Sequence, residues 1–259
     1  LTLSAMRIGV GIGLLATCAG VLIAKPPGAD RLAVDSEARP IATRHFGTLP
    51  PGAALPSAAS CAGKVRRTPE NRPANASYNE TRGHSRKMPK GEWLGATRWR
   101  DIYFRRVDGA FTGTTDEILQ WVSCKWGIDE DVTRARAAAE SSWRQRWFGD
   151  KGHTVGILGV KCMVPGDAHR FTYPECYEST SYNADYATAF VRACYDNLFA
   201  EGHWFVNTVR AIPAYPASDQ RLWDCIGLWY SGAFKTRDRA YIANVRLQYA
   251  TEPWRHGAF

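Results

Sequence analysis

Closely spaced cysteines, clustered histidines and a second long apolar run are all missing from this 259-residue sequence. No two cysteines stand at Cys-x-x-Cys spacing and the six His are scattered singly, so no metal site is expected and no cofactor is implied. The one apolar run, residues 8–24, excludes a multi-span membrane protein. Within it the Gly9, Gly11, Gly13 spacing is no dinucleotide fingerprint, because no strand precedes it and no acidic residue follows at the required distance. Internal repeats are absent too. Residues 25–91 lack aromatics apart from Phe46 and Tyr78, yet they hold nine of the fourteen Pro and twelve Lys+Arg against five Asp+Glu. Such a stretch cannot bury enough apolar area to offset chain entropy, and it reads as a disordered basic tether. Residues 92–259 lack any charge excess, with twenty basic and twenty acidic residues, and they contain all ten Trp. A charge-balanced folded part, with no interleaving of basic and aromatic residues in the tether, argues against a nucleic-acid partner.

What is present begins with an address. Arg7, the apolar run to Ala24 and the closing Lys25-Pro26-Pro27 have the layout of a secretory signal. Cleavage after Ala24 and retention as an anchor are both open, because Leu22 fits the minus-three position poorly. Either outcome places the chain outside the cytoplasm, secreted or on the outer face of the cytoplasmic membrane. Setting aside Cys18 in the apolar run, six cysteines remain, an even number for an oxidising compartment. Cys162 and Cys176 bracket a loop containing Pro and Gly and form the expected local pair. Asn75-Ala76-Ser77 and Asn79-Glu80-Thr81 match glycosylation sequons.

Apolar periodicity starts near Trp93. Ile118, Leu119, Val122 and Trp126 recur at helical spacing after Thr115, and Asp129-Glu130-Asp131 offers a cap and an acidic first turn for a second helix ending near Trp143. Glu140 sits one turn from that helix end. Residues 148–174 are rich in Gly and turns, with 154–163 the only β-like stretch, and helices are expected over 182–199, 218–229 and 237–249. The fold class is mainly α with a small irregular or β-hairpin element lining a cleft, carried by one domain over 92–259.

Against this background, Ala135-Arg136-Ala137-Ala138-Ala139-Glu140-Ser141-Ser142-Trp143 resembles the Glu-Ser motif of lytic transglycosylases and goose-type lysozymes. Val155-Gly156-Ile157-Leu158-Gly159 resembles their Gly-Leu-Met-Gln loop, Trp229-Tyr230-Ser231-Gly232 their Tyr-Asn-Ala-Gly helix end, and Tyr241-Ile242-Ala243-Asn244-Val245 their closing helix. The resemblance implies a lysozyme-like domain that cleaves the β-1,4 bond between N-acetylmuramic acid and N-acetylglucosamine. It makes Glu140 and Tyr230 the catalytic pair, with Ser141, Gly156, Ile157, Leu158, Trp229, Ser231 and Tyr241 as substrate contacts. The departures are Gly159 for the Gln, Ser231 for the Asn, and Gly149 for a loop Ser.

Glycoside cleavage needs an acid that stays protonated near neutral pH, and a helix C-terminus together with apolar neighbours favours this at Glu140. The competing reading from spacing is a solvated Glu paired with Arg136 or Arg144. Asp150, Asp167, Glu175 and Glu178 are candidates for a second carboxylate, but none lies in a motif, and the resemblance implies a single-Glu transglycosylase. Trp147, Trp204, Trp229 and Tyr230 are candidate sugar platforms. The expected partners are peptidoglycan strands, with anionic wall polymers or a membrane surface for the basic tether, and a monomer is expected. A non-catalytic wall- or sugar-binding protein on the same fold is the alternative.

Overall fold

The computed structural model describes residues 46–87, 99–197, 219–232 and 239–257. The signal or anchor segment, the tether up to residue 45 and Trp204 lie outside the described residues.

Two short helices come first, α1 (Ala58–Ala62) and α2 (Ala76–Glu80), followed by α3 (Thr115–Trp126) and α4 (Glu130–Ser141). Strands β1 (Phe148–Gly149), β2 (Thr154–Val155) and β3 (Val160–Lys161) form a small antiparallel meander, pairing Phe148 with Val155 and Thr154 with Lys161. Helices α5 (Glu175–Glu178), α6 (Thr180–Tyr195), α7 (Asp219–Ser231) and α8 (Arg239–Thr251) complete the domain. The mainly helical class with a minor sheet is therefore as the sequence indicates, with helix ends shifted by up to four residues.

Helix α3 starts where Thr114 accepts from the Glu117 amide while the Glu117 carboxylate accepts from the Thr114 amide, a reciprocal cap. It ends at Gly127, whose φ of 57° is left-handed and whose missing Cβ lets Leu49 pack there. Every residue of α3 and α6 is buried, and the two helices pack together as the centre of the domain. Lys125 and Asp185 lock them at 2.7 Å. Helix α4, capped by Asp129, packs on α8, and α7 packs on α6. That layering fixes where the end of α4 points.

Residues 46–87 correct the tether expectation. They form an ordered arm on the domain, held by few apolar contacts and many polar ones. Cys61 is bonded to Cys124 of α3, a crosslink over 63 residues that contributes about 4 kcal/mol by restricting the unfolded chain. The Leu49 amide donates to the Gly127 carbonyl at 3.0 Å, the Thr68 amide to Glu117 at 3.0 Å, and the Gly83 amide to the Gly109 carbonyl at 2.9 Å. Arg86 reaches Glu175 at 2.5 Å. Both sequon asparagines are interior, Asn75 at 1% and Asn79 at 3% exposure, and their amides are bonded to the protein. As glycosylation acceptors they are inaccessible in this fold. Disulfides Cys162–Cys176, as expected, and Cys194–Cys225 complete the set among the described residues.

Candidate active site at the end of helix α4

Glu140 lies in the last turn of α4, which closes on two residues in left-handed backbone, Ser142 (φ 50°) and Trp143 (φ 61°). Asn75 of the arm holds this corner: its Nδ2 donates to the Trp143 carbonyl at 2.7 Å and its Oδ1 accepts from the Gln145 amide at 2.9 Å. Gln145 passes the constraint onward, accepting from the Ile157 amide at 3.1 Å. The glycine loop 156–159 is thereby tied to the helix end that carries Glu140.

Nearly every backbone group of that loop is accounted for. The Gly156 amide donates to the Trp147 carbonyl, the Ile157 carbonyl accepts from Ser141 at 3.0 Å, the Leu158 amide donates to Asn183 at 3.0 Å, and the Leu158 carbonyl accepts from the Trp229 indole at 3.0 Å. Gly156 (φ 91°) passes so close to Asn183 that a Cβ would stand 2.1 Å from its amide nitrogen. Several expected substrate contacts are thus corrected. Ser141, Ile157 and Leu158 are buried and Gly156 is pressed on α6, so they build the wall of the site, whereas half-buried Trp229 stacks on His169 at 5.6 Å. Ser231 turns its hydroxyl onto the Gly227 carbonyl of its own helix.

The tyrosine assignment is corrected as well. Tyr241 of α8, expected as a substrate contact, donates its buried hydroxyl to Oε1 of Glu140. Tyr230, expected to orient the carboxyl or steady the substrate, is not the carboxyl's partner: it stacks flat on the Tyr241 ring, with centroids 4.2 Å apart and 60% of its surface exposed. Oε2 of Glu140 faces Gly159, where a Cβ would come within 2.8 Å. A glycine at 159 leaves that oxygen uncovered by any side chain of its own.

Burial pushes the Glu140 carboxyl up to about 7, against the opposing pull of the Tyr241 hydrogen bond and the Arg136 charge. A solvated surface pair is not what forms. Arg144 turns away, donating to the Ser141 carbonyl at 2.8 Å and covering the Trp147 ring at 4.1 Å. The four second-carboxylate candidates are occupied or outward: Asp150 pairs with Lys161 at 2.6 Å, Asp167 with His153 at 2.6 Å, Glu175 with Arg86, and Glu178 is exposed. Buried His169 is neutral, pushed down to about 3 by burial and sharing a 2.8 Å hydrogen bond with Tyr186.

Sequence reasoning passed over Asn75, Gln145 and Asn183, the three amides that hold the cleft wall. Their signal was faint: Asn75 stands in a glycosylation sequon inside a stretch read as a tether, and Gln145 and Asn183 are single amides without a motif. A separate pocket of about 360 Å³ opens beside the arm, lined by Arg66, Asp116, Arg134, Trp143, Trp254 and Arg255. Its arginines are engaged by Asp116, Glu130, Asp131 and Glu252. Among the described residues no group of His, Cys, Asp or Glu is arranged to hold a metal ion, and no helix is long and apolar enough to cross a membrane.

The site therefore consists of one carboxylic acid with a raised proton affinity, one buried tyrosine bonded to it, one exposed aromatic face and one glycine notch. No protein-family model, no curated protein and no solved structure matches the chain.

Proposed function

We propose that the chain is an extracytoplasmic glycosidase that cleaves the β-1,4 bond between N-acetylmuramic acid and N-acetylglucosamine in peptidoglycan, acting as a lytic transglycosylase with Glu140 as its single acid and base. The observation that carries the reading is the state of Glu140, a carboxyl raised to about 7 and steadied by Tyr241. Such a group is protonated often enough near neutral pH to donate, and ionised often enough to accept afterwards. The exposed ring of Tyr230 and the open Gly159 notch beside Oε2 supply a face and a space for a sugar. Three disulfides fit an oxidising compartment, where wall polymers lie.

In this mechanism Glu140 gives its proton to the glycosidic oxygen as the bond to the anomeric carbon breaks. The substrate's own N-acetyl oxygen shares the positive charge left on that carbon. The new carboxylate keeps the Tyr241 hydroxyl as a donor and then takes the proton from the sugar's 6-hydroxyl as that oxygen closes the anhydro ring. No second protein carboxylate is needed on this route, whereas a retaining glycosidase needs a nucleophile about 5 Å from the acid.

Clearing of isolated wall by the wild-type chain, with loss by a factor of about a hundred or more in Glu140→Gln, is the expected result. Mass spectrometry of the digest reads the outcome, because an anhydro product is lighter than a hydrolysed one by one water. Wall binding without clearing by both proteins would replace the enzyme with a binding protein.

A further inference from the structure

Arg136 stands one helical turn before Glu140 on α4 and has no exposed surface. Its Nη2 makes a long contact of 3.4 Å to the Ala187 carbonyl of α6 and the guanidinium lies against the Tyr241 hydroxyl, while among the described residues Nε and Nη1 make no well-formed hydrogen bond. Among the described residues no carboxylate lies within ion-pair distance of it, in contrast to Arg134 two residues earlier, which is bonded to Asp116, Glu130 and Asp131. Guanidinium does not lose its proton in a protein interior, so this is a buried, permanent and poorly bonded cation. A charge in that situation is less favourable than an apolar side chain of the same size. Packing is no reason to keep it. The groups whose charge it meets are Glu140, on its own helix, and Tyr241, from α8; the glycine loop on the other side brings no titratable group to Glu140.

We infer that Arg136 is a positioning residue for Glu140: its buried guanidinium, set beside Tyr241, is the counter-charge that holds the Glu140 carboxylate in its ionised half-cycle. Without it, a carboxylate formed in this desolvated corner would have the Tyr241 hydroxyl alone and would retain its proton at higher pH. With it, the acid is restrained from becoming too weak to donate. The inference rests on Glu140 being the acid of the proposed reaction, but its test uses no substrate.

The Glu140 carboxyl is followed by carbon-13 NMR against pH in the full chain, its resonance identified by its loss in Glu140→Gln. Arg136→Met is expected to move the midpoint upward by about one pH unit or more. Arg136→Lys, which restores the charge without the guanidinium, is expected to recover at least half of that displacement. An unchanged midpoint in Arg136→Met, or no recovery with Lys, overturns the inference. If the Met variant does not fold, the wild-type chain decides: the Arg136 Nε resonance should shift with the same midpoint as Glu140, and a resonance that stays flat through that titration overturns the inference. A chain that clears no wall but shows the coupling fails the proposed function alone. One that clears wall without the coupling fails this inference alone.

Discussion

Tyr241 and Glu140 are hydrogen-bonded across the packing of α4 on α8, although 101 residues separate them in the chain. The bond lowers the proton affinity that burial raises, so its loss has a definite sign. Tyr241→Phe should raise the Glu140 midpoint above about 7 and lower wall-clearing activity by roughly tenfold or more, with the alkaline limb of the pH profile moved upward. Tyr230→Phe should leave both nearly unchanged, since the Tyr230 hydroxyl is not the partner. Tyr230→Ala should raise KM while sparing kcat, because it removes the exposed ring and leaves the acid untouched. Equal losses in both Phe variants would contradict the assignment of the two tyrosines.

The site also predicts a pH-dependent stability difference. The folded-state value of Glu140, about 7, lies above its ordinary value of 4.5, so folding holds this proton more tightly than the unfolded chain does. Its contribution to stability is full below pH 4.5 and is lost as pH rises through 7. Glu140→Gln never ionises and escapes that loss. Its folding stability should match wild type near pH 4 and exceed it by about 3 kcal/mol at pH 8, at roughly 1.4 kcal/mol per pH unit of displacement. Urea melts at the two pH values measure this; a difference of the same size at both would mean that the ionisation of Glu140 is not its cause.

Gly159 combines two demands, a left-handed backbone at φ 63° and the 2.8 Å approach of Glu140 Oε2 to where a Cβ would stand. Gly159→Ala should therefore cost about 1–2 kcal/mol of stability through backbone strain. It should also reduce activity by more than the stability loss explains, since the methyl group covers the uncovered oxygen. A melt combined with kcat at full folding separates the two effects. An Ala variant with wild-type kcat would show that Oε2 is not the proton-bearing face.

The central helices were legible because each carries its own local reasons. Apolar residues recur every three or four positions in α3, Thr115 marks its start to within one residue of the Thr114 cap, Asp129 caps α4, and Glu140 falls in a recognisable Ala-rich helix end. Order along the chain, however, does not say which of two aromatics turns its hydroxyl inward, and so Tyr230 was assigned the place that Tyr241 occupies. The arm was illegible for a different reason. Its attachment is a disulfide to Cys124, amides on Glu117 and Gln120, and asparagines inserted under the α4 corner, none of which leaves an apolar period in the sequence. Composition sensed correctly that little apolar area is available there; Phe46, Leu55, Cys61 and Val65 reach the core, and the domain edge supplies hydrogen bonds for the rest of the segment.

That attachment sets the last prediction. Asn75 joins the arm to the corner after Glu140 with three hydrogen bonds, to the Trp143 carbonyl, the Gln145 amide and Thr115. Asn75→Ala would take the donor from the Trp143 carbonyl and the acceptor from the Gln145 amide, at about 1–3 kcal/mol for each, whereas Thr115 keeps Asn79 and Glu70. Because the corner positions Glu140, activity at full folding should fall as well. Deleting everything before residue 90 removes this bond set together with the Cys61–Cys124 crosslink, and it leaves Cys124 without its partner. The truncated chain should be molten or insoluble, while a chain starting at residue 42 should fold and keep full activity, which circular dichroism and wall clearing test directly. Non-reducing peptide mapping should find Cys61 paired with Cys124 in the longer chain. A well-folded, active chain beginning at residue 90 would show that the arm is an accessory to the domain and that Asn75 does not hold the catalytic corner.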